Sequence, residues 1–94
     1  MNYNPQTELW ISSKGYLQKY MEIAFAALKQ EPDNYKIMAK GFACENAEAL
    51  LSKLRYTFTN YNFEINNLKA FNKRGEVVPE FHVMLTKKRF SSAY

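Results

Sequence analysis

The residues that could perform acid–base or nucleophilic chemistry are few and scattered in this 94-residue sequence. Glu45 and Glu48 share one face of a predicted helix, but acids near a helix start are typical of solvated ends that complement the helix dipole. His82, the only histidine, is expected to be an exposed residue in the middle of a strand. Cys44 lies at a helix start, which can lower a thiol pKa, although a small residue filling space is the simpler interpretation. With no Walker loop or dinucleotide-binding glycine motif, the sequence predicts a protein that is not an enzyme.

Basic residues are more informative because they fall on predicted connections between elements. Lys14 lies in the turn after the first strand, Lys40 ends the second strand, and Lys73-Arg74 forms the tip of a hairpin. Side chains on loops can reach phosphate groups without burying the sheet, and phosphate contacts supply most non-specific affinity for nucleic acids. The alternative is the ordinary surface charge of a basic domain, and charge alone leaves both interpretations open.

Two further features each allow two interpretations. Phe42 follows Lys40-Gly41 on a predicted loop, where it could stack on an unpaired nucleobase or plug the core beneath the second helix. The cluster Lys87-Lys88-Arg89 near the C-terminus could bind phosphate or promote solubility.

Composition limits the kind of domain that carries these residues. Hydrophobic residues make up 47% and aromatic residues 16%, which is enough for a core, and the net charge is +4. One cysteine excludes an internal disulfide, and with one histidine it excludes a Cys/His zinc site. No apolar run approaches the roughly 20 residues of a membrane span, and the polar start predicts no signal peptide. We expect an intracellular domain, nuclear or cytoplasmic, with no cofactor and no membrane partner.

Hydrophobic periodicity predicts six elements in the order β-α-β-α-β-β. They cover residues 8–12, 16–29, 35–40, 44–59, 63–71 and 80–87, with a bulge expected at Asn66-Asn67 in the third strand. The predicted class is α+β, with two helices on one face of a mixed four-stranded sheet. Residues 1–94 would form a single domain, in which residues 1–7 are a loose arm and residues 90–94 a short tail.

Four segments in this order and spacing resemble the Alba family, small nucleic-acid-binding proteins first known from archaeal chromatin. Residues 9–20 (LWISSKGYLQKY) are similar to its opening strand, lysine-bearing turn and helix, and residues 37–43 (IMAKGFA) to its strand and basic-glycine loop. Residues 72–76 (NKRGE) fit the turn of its long hairpin, and residues 81–88 (FHVMLTKK) its last strand. The resemblance covers about residues 7–89 and implies an Alba-like fold, which is also similar to the C-terminal domain of bacterial translation initiation factor three.

The resemblance also implies a dimer whose first loops and hairpins contact nucleic acid. Lys14 matches the family's backbone-contacting lysine, Lys40 the basic position before the glycine, and Lys73 and Arg74 the basic hairpin tip. Lys19, one turn into the first helix, joins the same surface. The expected partners are RNA or DNA and a second Alba-type chain, in a homodimer or heterodimer.

This chain carries fewer charges than archaeal members of the family. Lys14 is single where they have two lysines and a proline, Phe42 stands at a position that is often basic or polar, and Asn46 replaces a basic residue. The lower positive charge favours one of two eukaryotic-type roles. The first is RNA binding in which Phe42 stacks on a base. The second is heterodimerisation as a non-catalytic subunit of a larger ribonucleoprotein or nucleic-acid-modifying complex, such as ribonuclease P or MRP. A weaker alternative keeps only the fold, with a ribosomal role.

Overall fold

The computed structural model describes residues 7–12 and 16–88. The elements are β1 (Glu8–Ile11), α1 (Leu17–Lys29), β2 (Asn34–Lys40), α2 (Ala43–Thr57), β3 (Tyr61–Phe71) and β4 (Val77–Lys87). The strands form one sheet in the order β1-β2-β4-β3, in which β1 and β2 are parallel and the other pairs antiparallel. The predicted α+β class and element order are therefore confirmed.

The core lies between one face of the sheet and the two helices. Alternate residues of β2 and β4 face the helices, as their period-two patterns predict. The strand side chains in this core are those of Leu9, Ile11, Tyr35, Ile37, Ala39, Tyr61, Phe81, Val83 and Leu85. Met38 is also buried, on the opposite face of the sheet. The helices contribute Ala24, Ala27, Leu28, Ala43, Ala47, Leu50, Leu51 and Leu54. Each fully buried leucine contributes roughly 1.5–3 kcal/mol relative to an exposed one, so this face holds the fold together.

Helix α1 ends in a left-handed residue. The N–H of Glu31 donates to the carbonyl of Leu28 at 3.0 Å, and Glu31 has φ +54°. A residue in this conformation commonly closes a helix and is usually glycine, and Pro32 then prevents continuation. In the part of the chain that the structure describes, neither helix is long and apolar enough to cross a membrane.

Strands β3 and β4 pair continuously along their whole length. Asn66 lies opposite His82 and Asn67 opposite Phe81, with the register unbroken on both sides. The predicted bulge at Asn66-Asn67 is therefore wrong. The irregular alternation has a different cause: β3 is an edge strand, and both asparagines are exposed, so polar residues are tolerated on either face there.

The β3–β4 hairpin extends past the rest of the sheet. Strand β2 pairs with β4 only as far as Lys40 opposite Glu80, whereas β3–β4 pairing continues to Phe71 opposite Val77. We call residues 69–79, which lie beyond this last β2 pair, the hairpin arm. Pro79 lies in the arm, and its carbonyl accepts the N–H of Gly41 at 2.8 Å. Its ring nitrogen faces the same side, away from β3, so no β3–β4 hydrogen bond is lost.

Candidate functional site

Three connections lie at one end of the sheet. Strands β1 and β2 are parallel, so their last residues, Ile11 and Lys40, lie at the same end of the sheet. Strand β4 is antiparallel to β2 and continues past Lys40, so the hairpin arm extends in that direction too. We call this region the loop end; its described parts are the end of β1, the Gly41-Phe42 turn and the hairpin arm.

The Gly41-Phe42 turn is held by backbone hydrogen bonds. Besides its bond to Pro79, Gly41 accepts the N–H of Cys44 at 3.1 Å, and its φ of +65° favours glycine. Phe42 occupies the N-cap position of α2 without a side-chain capping bond. Its side chain is 88% exposed. Phe42 therefore does not plug the core, and one of its two predicted roles is excluded.

A single side chain, that of Asn72, organises the tip of the hairpin arm. Its Oδ1 accepts the N–H groups of Arg74 and Glu76, both at 2.9 Å, and its Nδ2 donates to Oε1 of Glu76 at 3.0 Å. The N–H of Gly75 donates to the carbonyl of Asn72 at 3.0 Å, and Gly75 has φ +78°. This is the geometry of a three-residue hairpin loop that ends in a left-handed glycine. It leaves Lys73 and Arg74 at the outermost point of the tip.

The cationic side chains of the tip are accessible. Lys73 and Arg74 are exposed, and within residues 7–12 and 16–88 neither forms an ion pair. Lys69, which the sequence reasoning did not single out, is also exposed on the arm, opposite Pro79. The arm therefore carries three cations.

The arm and the Gly41-Phe42 turn border an open cleft of about 640 Å³. We call it the Phe42 cleft; it is lined by Phe42, Asn72, Lys73, Arg74, Glu76, Val77 and Val78. Three of the predicted site residues thus line one cleft, although Phe42 is separated from the other two by the length of α2 and β3. Val77 and Val78, which also line the cleft, were not predicted.

The other predicted cations have different positions. Lys40 is exposed at the end of β2, on the sheet face opposite the helices, and Lys19 is exposed in the first turn of α1. Both are close in sequence to connections of the loop end. Lys14 lies outside the described residues. The structure thus groups Lys73, Arg74 and Phe42 in one cleft, which Lys40 and Lys19 do not line.

The C-terminal basic cluster lies at the other end of the sheet. Nζ of Lys87 is 3.6 Å from Oε1 of Glu31, and the N–H of Lys88 donates to the carbonyl of Asn60. Arg89 lies outside the described residues. Lys87 and Lys88 therefore do not extend the cationic surface of the loop end.

His82 is half-buried, so its predicted exposure is wrong. Its Nε2 is 2.7 Å from Oε2 of Glu80, and its ring meets Trp10 edge to face with 6.2 Å between ring centroids. Trp10 and His82 flank Met38 on neighbouring strands, and these large side chains cover one another. His82 is thus a packed residue of the open sheet face.

The thiol of Cys44 is not activated. Burial raises its pKa, and the negative charges of Glu48 and Glu80 raise it further, which outweighs any lowering by the helix start. Glu45 and Glu48 are both exposed. Among the described residues, no three His, Cys, Asp or Glu side chains are grouped to hold a metal ion.

Fold and site together define a small two-layer α+β protein with a cationic hairpin arm beside an exposed aromatic turn. Alba from Thermoplasma volcanium is similar, with a TM-score of 0.67 and 15% identity, over 86% of this chain and 100% of that one. ALBA1 from Trypanosoma brucei is similar with a TM-score of 0.64 and 14% identity, over 90% of this chain and 73% of that one. The chain therefore has the Alba fold. No protein-family model matches the sequence, and no curated protein matches it.

Proposed function

We propose that this protein binds the phosphate backbone of RNA or DNA through its loop end, as a non-catalytic dimer with little sequence specificity. The observation that carries the proposal is the hairpin tip, where Lys73 and Arg74 are held outward by the Asn72 hydrogen bonds. Arg74 can engage two phosphate oxygens at once, whereas Lys73 acts as a point charge. Lys40 and Lys19, and Lys14 on the family resemblance, would add further contacts.

Two features of the backbone support anion binding at this end. Helices α1 and α2 both start after strands that end there, so both positive dipole ends lie near the loop end. Glu45 in the first turn of α2 offsets part of this effect. The dipoles thus add modestly to an attraction that comes mainly from the side-chain cations.

Low sequence specificity follows from the kind of groups available. Base-edge recognition needs positioned side-chain donors and acceptors. The amide of Asn72 donates to Glu76 and its oxygen accepts two backbone N–H groups, so this side chain is committed to the turn. Lys73 and Arg74 then contact the backbone, which carries no sequence information.

Dimerisation would double the number of phosphate contacts. Each contact contributes roughly 0.7–0.9 to the slope of log affinity against log salt. Lys40, Lys73 and Arg74 together would give a slope of roughly 2–3 from one chain and roughly 4–5 from two. The measured slope therefore reports both the mechanism and the number of chains engaged.

The test is fluorescence anisotropy of labelled single-stranded RNA and duplex DNA, titrated with protein at several salt concentrations. We compare the triple variant Lys40→Gln, Lys73→Gln, Arg74→Gln with a control carrying Lys29→Gln, Lys53→Gln and Lys88→Gln, three exposed cations elsewhere. Both sets remove three positive charges. We expect the loop-end variant to bind more weakly with a shallower salt slope and the control to stay near the parent protein. If both variants lose the same affinity, net charge alone explains the loss and the proposal is contradicted.

The helical layer supports a second candidate, heterodimerisation within a larger ribonucleoprotein. Met21, Phe25 and Tyr56 line a cleft of about 440 Å³ between α1 and α2, and Tyr56 is 88% exposed. Exposed aromatic and methionine side chains are enriched at protein interfaces. In this case the chain alone would show no binding even at low salt, and adding an Alba-type partner chain would restore it.

A further inference from the structure

We propose that the Phe42 cleft binds an unpaired nucleobase, so that the preferred ligand is single-stranded rather than duplex nucleic acid. This inference rests on the proposed function and adds the structural class of the ligand. Its elements are the exposed ring of Phe42, the apolar side chain of Val77, and a charged rim of Lys73, Arg74 and Glu76 that is positive on balance.

Phe42 has no evident role in folding. Its ring is 88% exposed, so it adds little to the core. It stands at the N-cap of α2, where Ser, Thr, Asp or Asn would accept a backbone N–H, and it makes no such bond. A large apolar side chain that neither packs nor caps is explained by a ligand that covers it.

The cleft has the chemistry of a nucleotide site. A nucleobase has two flat faces that stack well on an aromatic ring, and Val77, which is 60% exposed, supplies apolar surface across from Phe42. Phe71 does not line the cleft. It is paired with Val77 across the arm and is 66% exposed, so it extends the apolar surface of that face onto β3. The volume of about 640 Å³ falls within the range of roughly 300–1,000 Å³ typical of small-ligand sites.

The charge on the rim identifies the ligand as a nucleotide rather than an apolar side chain of another protein. Lys73 and Arg74 line the same cleft as Phe42 and form no ion pair among the described residues. Glu76 lines the same cleft, and its Oε1 accepts a hydrogen bond from Nδ2 of Asn72. A base on Phe42 therefore has two cations and one carboxylate nearby, which leaves a net positive charge for its flanking phosphates. In a duplex both faces of each base are covered by neighbouring bases, so entry would require flipping a base out at the cost of pairing and stacking.

The test compares Phe42→Ala with Tyr56→Ala, which removes an equally exposed aromatic ring near the end of α2. The probes are a short single-stranded oligoadenylate carrying 2-aminopurine and a duplex of the same sequence. For Phe42→Ala we expect about tenfold weaker single-strand binding, the size typical of losing one base–aromatic stack, together with loss of the 2-aminopurine fluorescence change. The salt slope and duplex affinity should stay unchanged, as should the single-strand and duplex affinities of Tyr56→Ala measured on the chain alone, because Tyr56 is near the other end of α2 from Phe42. Phe42→Trp should restore the single-strand affinity.

The outcomes separate this inference from the proposed function. Phe42→Ala could weaken single-strand and duplex binding equally, or weaken neither of them. If the loop-end charge variant still loses affinity in that case, the cleft does not bind a base but the phosphate mechanism stands. If the unsubstituted protein binds neither probe at low salt, the proposed function fails and the inference with it. If a protein partner binds through Phe42 and no oligonucleotide displaces it, the ligand of the cleft is a protein and the inference is overturned. Unchanged thermal denaturation of Phe42→Ala would show that none of these results reflects misfolding.

Discussion

Replacing Asn72 with alanine removes the side chain that organises the hairpin tip while leaving the net charge at +4. We expect this variant to bind nucleic acid more weakly although every cation is retained. The substitution therefore separates the position of the charges from their number, which a charge variant cannot do.

The size of the effect follows from the three hydrogen bonds that the Asn72 side chain makes. A typical intramolecular hydrogen bond contributes about 0.5–1.5 kcal/mol net, and water competes at this exposed tip. We therefore take about 1–2 kcal/mol for the three bonds together. A loosened tip must be reordered when it binds, so the apparent affinity falls by at most the same free energy, about 5- to 30-fold.

Two measurements test the loss of order and the loss of affinity separately. Amide hydrogen exchange should become faster at Arg74 and Glu76, whose N–H groups donate to Asn72. Anisotropy titrations should show the weaker affinity. The melting temperature should change little, because the arm lies beyond the strand pairs that cover the core.

Asn62→Ala serves as the matched control, since Asn62 is exposed on β3 at the other end of the hairpin, opposite Thr86. It should leave both exchange and affinity unchanged. Faster exchange in Asn72→Ala with parental affinity would refute the reasoning, because it would show that an ordered tip is not needed to present Lys73 and Arg74.

Two further predictions concern stability and thiol chemistry. Glu31→Gly should raise the free energy of unfolding by about 1 kcal/mol, because Glu31 holds φ +54° at a helix end that favours glycine. The exposed ion pair of Glu31 with Lys87, which the substitution removes, contributes little. A lower denaturation midpoint would contradict this prediction. Alkylation of Cys44 by iodoacetamide should accelerate only at a pH above the usual thiol range, because burial raises its pKa and the thiolate is the reactive form. Glu48→Gln should lower that pKa and speed alkylation at a given pH. If the alkylation rate of the unsubstituted protein has its pH midpoint at or below the usual thiol pKa, the raised pKa of Cys44 is refuted.

The covered part of the sheet was predictable because one physical rule governs it. In β2 and β4 every second residue is apolar and buried against the helices, and burial is the strongest constraint on sequence pattern. The hairpin arm carries no such pattern because its side chains are mostly exposed and no helix within residues 16–88 packs over it. The fourth strand was predicted from residue 80, whereas it begins at Val77. It can include Pro79 because the proline nitrogen faces away from the paired neighbour.

The candidate site was predictable in part. Lys40, Lys73 and Arg74 were found because glycines mark the turns that carry them, and an Asn-x-x-Gly pattern would also have identified Asn72 as the organiser of the tip. The Phe42 cleft could not be found in this way. It depends on the β2–β4 register, which brings the arm beside the Gly41-Phe42 turn, and register is a tertiary property.

The separation between core and loop end also explains how the Alba fold persists at low identity. Fold specification rests on the inner face of the sheet and the facing sides of two helices, where apolar residues of similar volume can replace one another. The loop-end side chains are exposed and lie outside this layer, so changing them costs little stability. A chain 15% identical to Alba from Thermoplasma volcanium can therefore keep the fold, with a TM-score of 0.67, while its loop-end side chains change. Phe42, which is 88% exposed, is one such side chain, because a different residue there would leave the buried layer intact.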